Sequence, residues 1–154
     1  MLAKLNPKQL GVSMKLKMMT EKFKPAYATE GSAGFDLYCN NKEPIVVGPN
    51  EVAKVPTGIR VSIPKGYFGA VYPRSSTGIK HRITLANTVG IIDSDYRGDI
   101  QIFFVNNSDE PYTIEHGERL AQMVIQPYVK VDIEIVDSLD ETERGEGGIG
   151  STGK

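Results

Sequence analysis

Cysteine occurs once and histidine twice in this chain of 154 residues. A lone thiol, Cys39, excludes an internal disulfide framework and leaves too few thiols for a cysteine-based metal centre. His81 and His116 have no partner at the spacing of a histidine-centred metal site. A charge excess is missing too. The 18 Lys and Arg are balanced by 19 Asp and Glu, a net charge of -1, so no nucleic acid and no anionic membrane is expected as partner. No apolar run approaches the length of a membrane span. The first residues are rich in lysine but hold no arginine and no long apolar run, so neither a secretory nor a transit signal fits, and a cytoplasmic location is the simplest expectation. No stretch sustains helical periodicity over three turns, and no internal repeat is visible.

What the chain has instead is short apolar alternation. Met14, Leu16 and Met18 alternate with Lys15 and Lys17, the period of a half-buried strand. After a turn-forming cluster, Glu30-Gly31-Ser32-Ala33-Gly34, Phe35 and Leu37 should face one way and Asp36 the other. Further strands are expected at residues 45–47, 52–55, 59–63 and 67–72, separated by Gly48-Pro49-Asn50 and Pro64-Lys65-Gly66. Residues 78–85 read as a short helical turn or another strand. Strands follow at 100–105, 112–114 and 119–125, and Val129, Val131, Ile133 and Ile135 read as a last alternating strand. Many short strands at close spacing predict an all-β sandwich or closed barrel, a jelly roll with a distorted barrel shape. The length suits one domain. We place it at residues 14–139, between a loose N-terminal tail (1–13) and a flexible glycine-rich C-terminal tail (140–154).

One stretch concentrates polar groups between apolar runs: Gly90-Ile91-Ile92-Asp93-Ser94-Asp95-Tyr96-Arg97-Gly98. It reads as a tight turn between strands with charge at its tip. Asp93 beside Ile91 and Ile92 suits a base acting on water in a partly dry pocket. An acidic hairpin tip with Tyr96 as its apolar plug fits the same residues. Arg74-Ser75-Ser76, after Pro73, offers a guanidinium, two hydroxyls and successive amides suited to a polyphosphate; a solvated serine-rich turn is the alternative. In the tail, Arg144, Ile149, Gly150 and Ser151 sit among glycines that allow close backbone approach to a ligand. Such a segment can close over a nucleotide triphosphate, or it can be an idle terminus. Gln122 reads as a polar anchor or a surface residue.

Taken together these stretches resemble the five ordered motifs of the trimeric dUTPase family. The matching segments are Ala33-Gly34-Phe35-Asp36-Leu37, Pro73-Arg74-Ser75-Ser76, Gly90 to Gly98, Gly117-Glu118-Arg119-Leu120-Ala121-Gln122 and the tail from Arg144. The resemblance implies a jelly-roll homotrimer whose active sites are shared between subunits. It implies hydrolysis of dUTP to dUMP and pyrophosphate, which keeps uracil out of DNA and supplies dUMP for dTMP synthesis. By resemblance, Asp93 activates the attacking water and Tyr96 lies under the deoxyribose. Asn87, Gly90 and Ile92 border the uracil. Arg74, Ser75, Ser76, Gln122, Arg144, Gly150 and Ser151 meet the phosphates, and Ile149 covers the base. Mg2+ is the implied cofactor, held by phosphates and water with no direct protein ligand, and Asp36 reaches it through water. Ile149 departs from the family's usual aromatic, and an aliphatic cannot stack on uracil. A dCTP deaminase shares much of this pattern, but Phe103 stands where its glutamate would fall. A non-catalytic nucleotide-binding jelly roll would be expected to lose Asp93 or the tail arginine.

Overall fold

The computed structural model describes residues 15–18, 23–149 and 151; the expected N-terminal tail, 1–13, lies outside them. The described elements run β1 (Lys15–Met18), β2 (Phe35–Tyr38), β3 (Ile45–Val47), β4 (Val52–Pro56), β5 (Ile59–Ser62), β6 (Tyr67–Pro73), α1 (Ser75–His81), β7 (Ile83–Leu85), β8 (Gly90–Ile92), β9 (Gln101–Asn106), β10 (Tyr112–Ile114) and β11 (Arg119–Pro127). The strands expected before residue 128 are present, and the ambiguous 78–85 region divides between the end of α1 and β7. Pairing is antiparallel throughout, in sheets ordered β1-β5, β10-β3, β2-β11-β6-β8 and β4-β9-β7. The architecture is an all-β jelly roll.

Period-two side-chain alternation builds the core. Phe35 and Leu37 are buried while Asp36 and Tyr38 face outward. Ile100, Ile102 and Phe104 point inward with Phe103 outside. These side chains pack with Ile59, Ile83, Ile114, Leu120 and Met123 into one cluster. β6 lies between β11 and β8, and its centre, Gly69-Ala70-Val71, is covered on both faces. Glycine is required at 69 because a Cβ there would come within 2.9 Å of the Met123 Sδ. Cys39 is buried in the same core. Burial, followed by the charge of Glu118, pushes its thiol up to about 12, so it stays protonated and is no nucleophile.

Buried polar side chains tie the loops to this core. Thr57 Oγ1 donates to the Ile100 carbonyl at 2.8 Å. Asn106 is fully buried; its Nδ2 donates to the carbonyls of Val47 and Glu110 at 2.9 and 2.8 Å. Its Oδ1 accepts from the Ser108 amide and hydroxyl. One side chain therefore joins β3 to the loop that follows β9.

Two expectations are corrected. The Gly90 to Gly98 stretch is no hairpin tip: β8 pairs with β6, and β9 pairs with β4 and β7. It is a crossover between sheets. The alternating segment 129–135 forms no strand in this chain, and Val129, Ile133 and Ile135 are almost wholly exposed. Its period is that of a strand, but no edge among the described residues receives it. Tyr128 just before it is tied down, through its amide to the Gly66 carbonyl and its ring against Phe68.

Replacing Asn106 by Ala strands buried carbonyls and an amide, so stability should fall by about 2–3 kcal/mol. Urea unfolding measures this; an unchanged midpoint would contradict the role given to Asn106.

Candidate active site

The crossover after β8 carries its own scaffold. The Tyr96 amide donates to the Asp93 carbonyl at 3.2 Å, closing a turn over Asp93-Ser94-Asp95-Tyr96. Arg97 ties the loop from outside, with Nη1 donating to the carbonyls of Ser94 and Tyr96 at 2.7 and 2.8 Å. The Tyr96 hydroxyl donates to the Asp99 carbonyl at 3.0 Å. Asp99 is in turn anchored by Arg60, Nε to Oδ1, at 2.5 Å. The Tyr96 ring folds back onto Gly98, where a Cβ would meet its ring carbons. The absence of a Cβ at 98 thus leaves room for the hydroxyl end of the ring.

Asp93 and Tyr96 stand at the lip of a cleft of about 300 Å³, with Lys54, Ile91, Ile92, Gln101 and Phe103 as walls. A second hollow of about 190 Å³ shares Ile91, Ile92, Gln101 and Phe103 and adds Asn87 and Gly90. The structure therefore brings Asn87, Gly90, Ile92, Asp93 and Tyr96 to one place. Asp95 is exposed on the same turn but lines neither hollow. The turn between β7 and β8 is strained. Thr88 sits at φ 65°, a left-handed conformation that costs a β-branched residue energy. Its amide donates to the Leu85 carbonyl at 3.1 Å, and the Val89 amide donates to Asn87 at 2.7 Å. These bonds hold Asn87 out of the strand and beside the hollow.

A second cluster forms where β6 runs into α1. Arg74 precedes the helix in extended conformation, with Ser75 and Ser76 in its first turn. Arg74 Nε lies 3.0 Å from Asp36 Oδ1 on β2, and Arg119 Nη1 lies 2.9 Å from Asp36 Oδ2. Gln122, directly across from Asp36 on β11, reaches the Pro73 carbonyl at 3.4 Å. Two arginines on one carboxylate leave the group with a net positive charge, suited to an anion. The turn that delivers Arg119 is braced by Glu118. Its carboxylate accepts from the Tyr112 hydroxyl and the Glu115 amide. Burial and this carboxylate push the Tyr112 phenol well above its usual value.

The two clusters lie at opposite ends of one ladder. Ile92 pairs with Gly69 and Gly90 with Val71, so Asp93 falls level with Phe68, while Arg74 follows Pro73. Six residues of strand separate them, on the order of 20 Å within one chain. Among its described residues the tail joins neither cluster. Arg144 Nε donates to the Gly147 carbonyl at 2.8 Å, Ser151 donates to Gly148, and Ile149 is fully exposed. Gly150 lies outside the described residues. Reading the sequence missed Arg119 as a member of the second cluster. The available signal was Leu120-Ala121, two apolar residues in succession between two polar ones, which breaks strand alternation as a bulge does.

A jelly roll with a carboxylate and an aromatic at one cleft, and a cationic cluster at a strand end, has the parts of a nucleotide-handling protein. The dUTPase family model matches residues 21–153. A deoxyuridine 5'-triphosphate nucleotidohydrolase of Fusobacterium nucleatum is 51% identical over 130 residues, covering 84% of this chain and 89% of the relative. A dUTPase of Staphylococcus bacteriophage 80alpha, solved with dUpNHpp, superposes with a TM-score of 0.81 at 28% identity, covering 92% of this chain and 99% of that one. A dUTPase variant from phage phi11 of S. aureus, solved with a structural Mg(II) ion, gives a TM-score of 0.74 at 25% identity, over 84% and 99% of the two chains. This chain belongs to the dUTPase family.

Relieving the strained turn should show directly. Thr88→Gly is expected to raise stability by about 1 kcal/mol, because glycine adopts the left-handed conformation without steric cost. A lower denaturation midpoint would mean that the turn is not strained.

Proposed function

We propose that this protein hydrolyses dUTP to dUMP and pyrophosphate, with Asp93 as the base on the attacking water. The observation that carries this reading is the shared cleft, where the Asp93 carboxylate and the Tyr96 ring stand beside the Asn87–Gly90 turn. Uracil is bordered by Asn87 and read by backbone groups of residues 87–92, which match its polar edge and mismatch the cytosine amino group. Tyr96, held by its hydroxyl to the Asp99 carbonyl, packs against the sugar and leaves no room for a 2′-hydroxyl. A water beside Asp93 attacks the α-phosphorus in line, and the carboxylate takes its proton as the new P–O bond forms. The bond from the α-phosphorus to the bridging oxygen breaks, and pyrophosphate leaves with that electron pair. Arg74, Ser75, Ser76 and Gln122 stabilise the developing negative charge.

Among the described residues no three His, Cys, Asp or Glu side chains converge as a metal cage. This donor chemistry fits a cation that arrives with its triphosphate, since Mg2+ keeps much of its water and takes phosphate oxygens. Each Asp36 oxygen carries one arginine contact and retains a lone pair for a water of such a cation. Bound there, Mg2+ supplies charge neutralisation on the phosphates.

We read the functional unit as a homotrimer with each site built from several chains. Three features support this. Asp93 and Arg74 are too far apart in one chain for one triphosphate to bridge. The alternating segment 129–135 exposes its apolar side chains, as a strand does when its partner edge belongs to another copy. Among its described residues the tail, which we assign from residue 140 onward, meets neither cluster of its own chain, and we assign Arg144, Ile149, Gly150 and Ser151 to closing over a neighbour's nucleotide. The mature function of the chain needs no nucleic acid or membrane partner in this reading. Among the described residues, no helix is long and apolar enough to cross a membrane.

Asp93→Asn should leave the melting temperature and dUpNHpp binding nearly unchanged and lower turnover by roughly 10²- to 10⁴-fold. Near-normal pyrophosphate release by the variant would move the base elsewhere, with Asp95 the next carboxylate along.

The shared site has a separate test. Chains truncated before Arg144 and full-length Asp93→Asn chains should each be nearly inactive alone. Co-refolded into mixed trimers, they should regain dUTP turnover wherever an intact Asp93 meets a borrowed tail. Verified mixed trimers without recovery would overturn the shared site.

A further inference from the structure

The bulge in β11 determines which way Arg119 faces. Along the β2–β11 ladder Met123 pairs with Phe35, Gln122 with Asp36 and Ala121 with Leu37. An unbroken register would next set Leu120 against Tyr38 on the outer face and turn Arg119 toward the core. Instead Arg119 itself pairs with Tyr38, and Leu120 becomes the extra residue, buried beside Ala121. The insertion moves Arg119 to the face that already carries Asp36, two residues from Tyr38 on β2. Re-aiming a side chain in this way is a recurrent use of bulges.

The result is a carboxylate divided between two guanidinium groups. Asp36 gives Oδ1 to Arg74 Nε and Oδ2 to Arg119 Nη1, and its side chain is only 13% exposed, against 31% for Arg74 and 45% for Arg119. A carboxylate facing one arginine prefers to take two of its N–H groups with both oxygens. That would neutralise Arg74 and occupy the edge best able to grip phosphate. With Oδ2 held by Arg119, Asp36 is limited to one contact on Arg74. Arg74 Nη1 also donates to the Arg119 carbonyl at 3.3 Å, so the guanidinium is fixed from two sides. Its Nη2 makes no contact with Asp36 or Arg119 and is left to an anion, and the trio keeps one net positive charge.

We propose that Arg119 is a positioning residue for Arg74, acting through Asp36, and that it sets the affinity of this site for the phosphate chain. The inference rests on the reading that Arg74 grips phosphate. A partly exposed ion pair adds little to folding, so the consequence is expected in binding and not in stability.

The test is a double-mutant cycle on the full-length protein with dUpNHpp and deoxyuridine as probes. Arg119→Gln removes the guanidinium and its charge and keeps the backbone carbonyl that holds Arg74. It should weaken dUpNHpp roughly tenfold, the scale of one charge-assisted contact, and raise KM for dUTP far more than it lowers kcat. Deoxyuridine, which has no phosphate, should bind unchanged, and the melting temperature should stay within a degree or so. In an Arg74→Gln background the same substitution should cost no further affinity. Arg119→Lys, which restores a cation for Oδ2, should recover most of the loss. If the glutamine chain does not fold, Arg119→Met, which also lacks the cation, serves as the test variant with the same expected loss. Additive losses, an equal loss for deoxyuridine, or wild-type binding by Arg119→Gln would each overturn the inference alone. An Arg74→Gln chain that binds dUpNHpp like the wild type would overturn both the inference and the phosphate role of Arg74.

Discussion

Pairing of β11 on both edges is the constraint on which the rest of the structure depends. Residues of this strand are hydrogen-bonded to β2 on one side and β6 on the other. Its inward side chains, Leu120, Ala121 and Met123, are all buried in the core. Because Asp36 lies on β2 and Arg74 directly follows β6, pairing both strands with β11 is what brings the carboxylate, the arginine and Gln122 together. They come from sequence positions far apart, and nothing local relates them. A glycine before β2 makes the approach possible. A Cβ on Gly34 would press against the Met123 carbonyl, the Gln122 amide oxygen and a Val124 methyl, all within 3.2 Å.

The same sheet separates the two halves of the chemistry. β8 adds to the far edge of β6 and delivers Asp93 and Tyr96 at the opposite end of the ladder from Arg74. An antiparallel ladder does this unavoidably, since the strand entering at one end leaves at the other. The distance is therefore a property of the topology, not of any loop conformation. It gives the proposed multi-chain site a geometric reason: the cationic cluster of one copy has to serve the cleft of another.

Order within the cleft comes from loops that are held rather than packed. The Asp93 to Asp99 segment buries little apolar area, yet nearly every turn of it is bonded through Arg97, Tyr96 or Arg60. Thr88 holds a left-handed backbone beside it. Strain of this kind persists where surrounding contacts over-determine the chain, and it collects at functional sites.

Alternation and short apolar runs between turn residues located most of the strands, with 78–85 left open between helix and strand and 90–92 read only as the flank of a turn, because a strand with one face in a core writes the period of two in its residue types. The motif residues were also legible in the sequence: Asp93 and Tyr96 between glycines, Arg74-Ser75-Ser76 after a proline, Gln122 after Leu120-Ala121. Three things were not. The apolar alternation of 129–135 looks identical to that of a paired strand, but pairing needs an edge, and the edges within the chain are elsewhere. Gly90 to Gly98 has the composition of a hairpin turn, but which sheet each flanking strand joins is decided by distant partners. Arg119 had no visible role because its direction depends on a one-residue register shift against β2. Side-chain period is a local property and survives in the sequence. Register, sheet membership and the meeting of Asp36 with two arginines are long-range choices, and only the folded chain makes them.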